Sequence, residues 1–484
     1  MTTGSTALNE SIRDHVEREW SASVLPTLMD YIRIPCVSVA YDPAWAEHGH
    51  LAAAVEMVTA WCRARDIAGL RVEVTELPGR TPMIVIEVPA FGDGRAQGDD
   101  TVLLYGHIDK QPEMTGWRDG LGPWTPVIEG DRLYGRGGAD DGYAAFASLL
   151  AIESAQRAGL SHVRCVVLIE ASEESGSPDL PAHLEALLPR IGRPSLVLCL
   201  DSGCIDDRRL WATTSLRGLI SGVLRVDVLD HGVHSGQGSG VVASTFRIVR
   251  QLLDRVEDSA TGTILLPELH VDIPPDRAAQ AARTATHHIV ADQLPLLDGV
   301  RPVTDDATEQ LLNQTWRPAL SVVGVDGIPS LDMGGNVLRP TTAVSLSIRI
   351  PPTCDSTAAL AALERALTDD PPYGARVTFT RTKHADGWNA PSFAPWLEDA
   401  LRDASRATFG DEAGAFGEGG TIPFMGMLSA MFPDAQFVIT GALGPGSNAH
   451  GPDEFLHLPT ARRLTSTLAL LLDAHVHRAA SRAS

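Results

Sequence analysis

Seven side chains in this sequence have the types and spacing to do chemistry: His107, Asp109, Asp140, Glu173, Glu174, Asp201 and His450. Two imidazoles among carboxylates make a mixed nitrogen–oxygen donor set, which suits zinc, manganese or cobalt, and an aspartate with two oxygens can bridge two ions. A structural zinc site is disfavoured, because such sites close with thiolates. Two ions roughly 3.5–4 Å apart can activate a shared water and clamp a tetrahedral intermediate. Asp109 follows His107 by two residues, so on extended backbone it points the same way and could hold the imidazole's other N–H. Glu173 and Glu174 are neighbours, so one of them faces the ions and the other is free to act as general base.

Taken singly, each residue has an ordinary explanation. Adjacent glutamates are usually a solvated pair, and Asp140 or Asp141 would serve as N-cap for the helical pattern Tyr143–Ala158. Their common placement carries the inference. Apolar runs at Val102–Tyr105, Cys165–Ile169, Leu196–Leu200 and Phe437–Ile439 lead into His107, Glu173–Glu174, Asp201 and a glycine-rich loop ending at His450. Short runs that are apolar throughout predict strands buried on both faces of a parallel sheet. Helical patterns between them, including Pro181–Leu188, complete a βαβ grammar. Ligands collect beyond the carboxyl ends of such strands, where these residues fall.

The middle of the chain has a different period. Leu224, Val226 and Val228 alternate with Arg225 and Asp227, and Val344, Leu346, Ile348 and Ile350 alternate with Ser345, Ser347 and Arg349. Alternation predicts an antiparallel sheet with one polar face, followed after its first strand by a helix over Val242–Val256. The expected fold class is α/β: a catalytic domain with a mostly parallel sheet sandwiched by helices, interrupted by an inserted α+β lid or dimerisation domain. The expected boundaries are 1–213 and 382–484 for the catalytic domain and 214–381 for the insert.

Composition narrows the function. The chain has 484 residues, 39 Lys+Arg against 61 Asp+Glu, and a net charge of −22. That acidic balance argues against nucleic-acid or anionic-membrane partners, which need basic surfaces. No apolar run has the length of a membrane span, and the polar N-terminus lacks the order of a secretory signal. The six cysteines lack C-x-x-C spacing and read as reduced thiols, so a cytoplasmic location is expected. Gly135-Arg136-Gly137-Gly138 opens like a dinucleotide loop, but Asp140 replaces the third glycine, and neither a phosphate-loop lysine nor a G-x-S-x-G elbow occurs. His287 and His288 lack partners at metal spacing, and His475 and His477 read as surface residues near a terminus.

These motifs resemble those of the co-catalytic di-metal peptidases that include carnosinase-type dipeptidases, aminoacylase-1, acetylornithine deacetylase and carboxypeptidase G. The likeness runs from IRIPCVS (32–38) through YGHIDKQP (105–112), YGRGGADDG (134–142), EASEESGS (170–177) and LCLDSG (198–203) to GSNAHGPDE (446–454). The resemblance implies that His107 and Asp201 hold one metal, Glu174 and His450 the other, and Asp140 both. Glu173 would then be the general base and Asp109 the partner of His107. It also implies that His234, in HGVHSGQGSG (231–240), stabilises the oxyanion in the neighbouring subunit's site, with Asn336 likewise supplied in trans. Arg349 matches the arginine that grips a substrate carboxylate, Gly420 and Thr421 match a carboxylate-contacting loop, and His384 is a candidate substrate contact.

The sequence departs from the family pattern at Gly142, where lysine is common, at Gly417, where arginine is usual, and at His231. The implied activity is hydrolysis of a peptide or amide bond in a dipeptide or similar small substrate with a free carboxylate, by a metal-bridging hydroxide. Two divalent ions are expected, zinc first, in a homodimer joined through the lid. The alternative within the family is an N-acyl-amino-acid amidohydrolase.

Overall fold

Burial on both faces is what the four apolar runs require, and a parallel sheet under helices supplies it. The computed structural model describes residues 3–478. Two compact units result: of the described residues, those in 3–213, 390–415 and 427–478 form the first, and residues 214–389 with 416–426 form the second.

The first unit's sheet contains β1 (Arg71–Thr75), β2 (Met83–Val88), β3 (Asp100–His107), β4 (Arg164–Glu170), β5 (Arg193–Cys199) and β6 (Gln436–Ile439). Their spatial order is β1-β2-β4-β3-β5-β6. The central four are parallel, with Leu104 opposite Val167 on one side and Leu198 on the other. β1 and β2 join antiparallel, so the sheet is mixed rather than parallel to its edges. MIVIEV in β2 is as apolar as the parallel strands because it too is covered on both faces. β3 lies between β4 and β5, so the chain leaves it in opposite directions, and the crevice this opens lies outside its carboxyl end, at His107.

Helix α1 (Tyr143–Arg157) is buried along nearly its whole length, from Tyr143 to Ala155, against the helices Thr3–Glu19 and Leu458–Val476. Its N-cap is Gly142, without a side-chain cap, so neither Asp140 nor Asp141 has the capping role open to it. A Cβ at Gly142 would lie 2.2 Å from Tyr31 and 2.5 Å from the Gly137 carbonyl, which excludes any side chain there. His475 is also not a surface residue: its Nε2 lies 2.7 Å from Ser195 Oγ, and burial lowers its pKa to about 4.

The second unit is built on a four-stranded antiparallel sheet, in the order Ala319–Asp326, Thr341–Ile350, Gly218–Asp227, Arg376–Ala385. Alternate residues of Gly218–Asp227 are buried, and Ile220, Leu224 and Val226 pack with Ile248 and Leu252 of one helix and Leu360 and Leu363 of another. The first of those helices spans Thr245–Leu253, shorter than the Val242–Val256 its pattern suggests, because Ser244 Oγ accepts the Arg247 N–H and starts it late. Among the described residues, no helix is long and apolar enough to cross a membrane.

Candidate metal centre

The site grows from the last residue of β3. His107 is fully buried, and its Nδ1 lies 3.1 Å from the Asp109 carbonyl and 3.4 Å from Asp109 Oδ1. Its Nε2 has no hydrogen-bond partner and faces Asp140 Oδ1 at 3.4 Å and Asp201 Oδ2 at 3.8 Å. On the other side of Asp140, Oδ2 lies 3.0 Å from His450 Nε2, which is 3.3 Å from Glu174 Oε2. Two groups of three ligand atoms therefore form, His107–Asp140–Asp201 and Asp140–Glu174–His450, each within 4.8 Å and both sharing Asp140. The Asp140–Asp141 peptide is cis, and in a second loop His450 adopts φ 63°, in the left-handed region.

Charge explains why this cluster asks for cations. Burial works against ionisation of Asp140, but His107 and His450 override it and hold the carboxyl well below the usual range. Burial also opposes a charge on His107, and the Asp201, Asp109 and Asp140 carboxylates raise its pKa well above the ordinary value. Glu173 and Glu174 are pushed up by burial, then by Asp201 and Asp140 respectively. Asp141 is raised in the same way, and its Oδ1 is buried without a hydrogen-bond partner. Buried acids crowd one another around His107 and His450, an arrangement that divalent ions resolve. A buried, unsatisfied imidazole nitrogen aimed at two carboxylates, and an aspartate with both oxygens engaged, fit a pair of such ions.

Two acids that hold the loops together have partners that sequence spacing does not reveal. Asp109 accepts the Glu173 N–H on Oδ1 and the Glu174 N–H on Oδ2, each at 3.0 Å, so one carboxylate braces both His107 and the glutamate pair. Glu454 is fully buried, accepts the Gly137 N–H at 2.9 Å and pairs with Arg136, which also donates to the Gly451 carbonyl at 2.8 Å. That contact joins the turn before Asp140 to the loop of His450. Behind them, Tyr31 Oη donates to the Ile108 carbonyl at 2.8 Å, and buried Lys110 donates to the carbonyls of Tyr31, Ile32 and Ile34. Ser38 Oγ meets Ser175 Oγ at 2.6 Å, beside the glutamates.

The remaining candidates lie in the second unit. Arg349 Nη1 donates to Thr421 Oγ1 at 2.8 Å, next to exposed Gly420. His234 and Asn336 are also neighbours: His234 pairs with Val337, and the Ser235 N–H donates to the Asn336 carbonyl at 2.9 Å. His384 is exposed on the strand Arg376–Ala385, opposite Ile220.

Comparison with known proteins agrees with this chemistry. The model of peptidase family M20/M25/M40 matches residues 103–474, and the chain belongs to that family. A cysteinylglycine-S-conjugate dipeptidase of Corynebacterium striatum is 26% identical over 360 residues, 73% of this chain and 76% of that protein. The human Beta-Ala-His dipeptidase is 25% identical over 462 residues, 92% of this chain and 88% of its own. Among solved structures, human carnosine dipeptidase 1 superposes with a TM-score of 0.73 at 21% identity, covering 97% of this chain and 99% of that one. An M20 family metallo-carboxypeptidase from Sulfolobus solfataricus reaches 0.75 at 18% identity, covering 94% and 99%.

The Arg136–Glu454 pair is fully buried, so removing one partner strands the other's charge. Arg136→Met is expected to destabilise the fold by about 3–5 kcal/mol in chemical denaturation. Wild-type stability in that variant would show that the pair does not tie the two loops.

Proposed function

We infer that this protein is a metal-dependent dipeptidase, hydrolysing the amide bond of small peptides with a free carboxylate. The observation that carries the reading is Asp140, with one oxygen toward His107 and the other toward His450 at the common edge of two ligand clusters. His107 and Asp201 would hold one ion, Glu174 and His450 the other, and Asp140 both. The mixed donor set favours zinc, with manganese or cobalt also suited. Such ions would polarise the scissile carbonyl and make water a nucleophile at neutral pH.

The chain's own residues supply the rest. Glu173 takes the proton of the attacking water and returns it to the leaving amine, and a pKa raised by burial suits a group that must both accept and donate. Asp109 keeps His107 oriented through Nδ1. Arg349, Gly420 and Thr421 receive the substrate carboxylate, with His384 as a further contact, and His234 and Asn336 act from a second copy of the chain. A homodimer is supported by the edge strand Ala319–Asp326, where Val322, Val323 and Val325 are exposed. The six cysteines carry no disulfide, which supports a cytoplasmic location.

The deciding experiment is release of free amino acid from an unblocked dipeptide and from its N-acetylated counterpart, with zinc or manganese and with chelator. Chelator-sensitive turnover of the unblocked compound is expected. Turnover of the acetylated compound alone would replace this reading with an amidohydrolase. Glu173→Gln is expected to keep its bound metal while kcat falls at least about 10²-fold, and normal turnover there would remove the base assignment. For His234, mixing His234→Ala with Glu173→Gln protein should restore activity in exchanged heterodimers. Full activity in His234→Ala alone would exclude its role.

A further inference from the structure

The second unit holds two guanidiniums with no carboxylate to answer them. Arg217 and Arg349 are both partly buried, and among the described residues no acidic group acts on either. Burial alone works against both charges, and for Arg217 the adjacent Arg349 adds like-charge repulsion, lowering its pKa to about 10. Cations withdrawn from water are costly unless an anion or aligned dipoles compensate. Here the dipoles are backbone carbonyls: Arg217 Nη1 donates toward Asn313 and Arg317 at 3.4 and 3.5 Å, and Nε donates to Gly419 at 3.2 Å.

Arg217 also shapes the loop it touches. Its N–H donates to the Glu418 carbonyl at 3.3 Å, and its own carbonyl accepts from Thr421 Oγ1 at 2.5 Å. The same Thr421 oxygen accepts from Arg349 at 2.8 Å, so a continuous relay joins the two arginines through the loop. Gly419 lets this happen, since a Cβ there would come within 3.0 Å of Arg217 Nη2. The backbone beneath is pinned as well: a Cβ at Gly218 would meet the Ala385 carbonyl at 2.7 Å.

We propose that Arg217 is a specificity-determining residue, which builds the Gly419–Thr421 loop against Arg349 and makes with it a two-guanidinium seat for the carboxylate of the substrate. Guanidinium forks match carboxylate geometry, and a neutral terminus leaves both charges unanswered. The identity of the anion rests on the dipeptidase reading, whereas the seat itself receives any small oxyanion.

The test compares metal-loaded wild type with Arg217→Lys and Arg217→Met, using glycylglycine and glycylglycinamide as substrates and inorganic sulfate as a binding probe in calorimetry. In Arg217→Met the KM for glycylglycine should rise at least about tenfold while kcat moves less than about threefold, and sulfate should bind at least about tenfold more weakly. Arg217→Lys, which keeps the charge without the fork, should fall between. The kcat/KM for glycylglycinamide should fall at least about threefold less than that for glycylglycine in both. Equal losses on acid and amide would reduce Arg217 to a structural part and overturn the proposal, as would sulfate affinity that is absent in wild type or the same in Arg217→Met. If wild type cleaves neither peptide, the dipeptidase reading fails by itself, and the sulfate comparison still decides the seat.

Discussion

Everything in the metal centre turns on one carboxylate placed between two imidazoles. Asp140 reaches His107 through one oxygen and His450 through the other, and those histidines come from parts of the chain more than three hundred residues apart. A group so placed cannot move without disturbing both clusters. The surrounding structure therefore works to hold its turn: Gly142 is bare where a side chain would strike Tyr31, and the Glu454 carboxylate grips the Gly137 N–H from below. Helix α1, buried almost all round, anchors the far end of the same turn.

Bracing by carboxylates recurs around this centre at a second level. Asp109 spends both oxygens on backbone N–H groups of the glutamate pair while lying against His107, so a single side chain sets the distance between two strand ends. Glu454 does the same for the other pair of loops through Arg136. Metal ligands in such sites are usually positioned by hydrogen-bonded neighbours, and here both neighbours are acids: Glu454 is balanced by Arg136, while Asp109 adds to the negative charge beside His107.

Much of this was legible in the sequence because strand and functional residue are covalently adjacent. A short apolar run announces a buried strand, and polar residues soon after it emerge beyond the carboxyl edge, which singles out His107, Glu173, Glu174 and Asp201 as candidates. His450, eleven residues past Ile439, is reached only through its glycine-rich loop and the family motif. The family resemblance and the α/β reading follow from the same motifs. Partners that meet only in space were not legible. Arg136 and Glu454 are 318 residues apart, and neither residue type nor spacing links them. Asp141, for which a helix cap is the ordinary alternative, lies buried with its carboxylate accepting the His107 N–H at 3.3 Å. His475, taken for a surface residue because it lies near the terminus, is instead packed behind β5 through Ser195.

The segment Tyr31–Ser38 gives the fold a dependence that lies outside the range of the family match. The family match begins at residue 103, yet the hydrogen-bond acceptors of Lys110 are the carbonyls of residues 31, 32 and 34, and Ser38 props the turn at Ser175. A chain cut to the matched region would keep every candidate metal ligand and lose the three carbonyls that accept from the Lys110 ammonium. The centre is thus a product of two stretches of polypeptide, one that carries the candidate reactive groups and an earlier one that braces them through main-chain carbonyls and the hydroxyls of Tyr31 and Ser38.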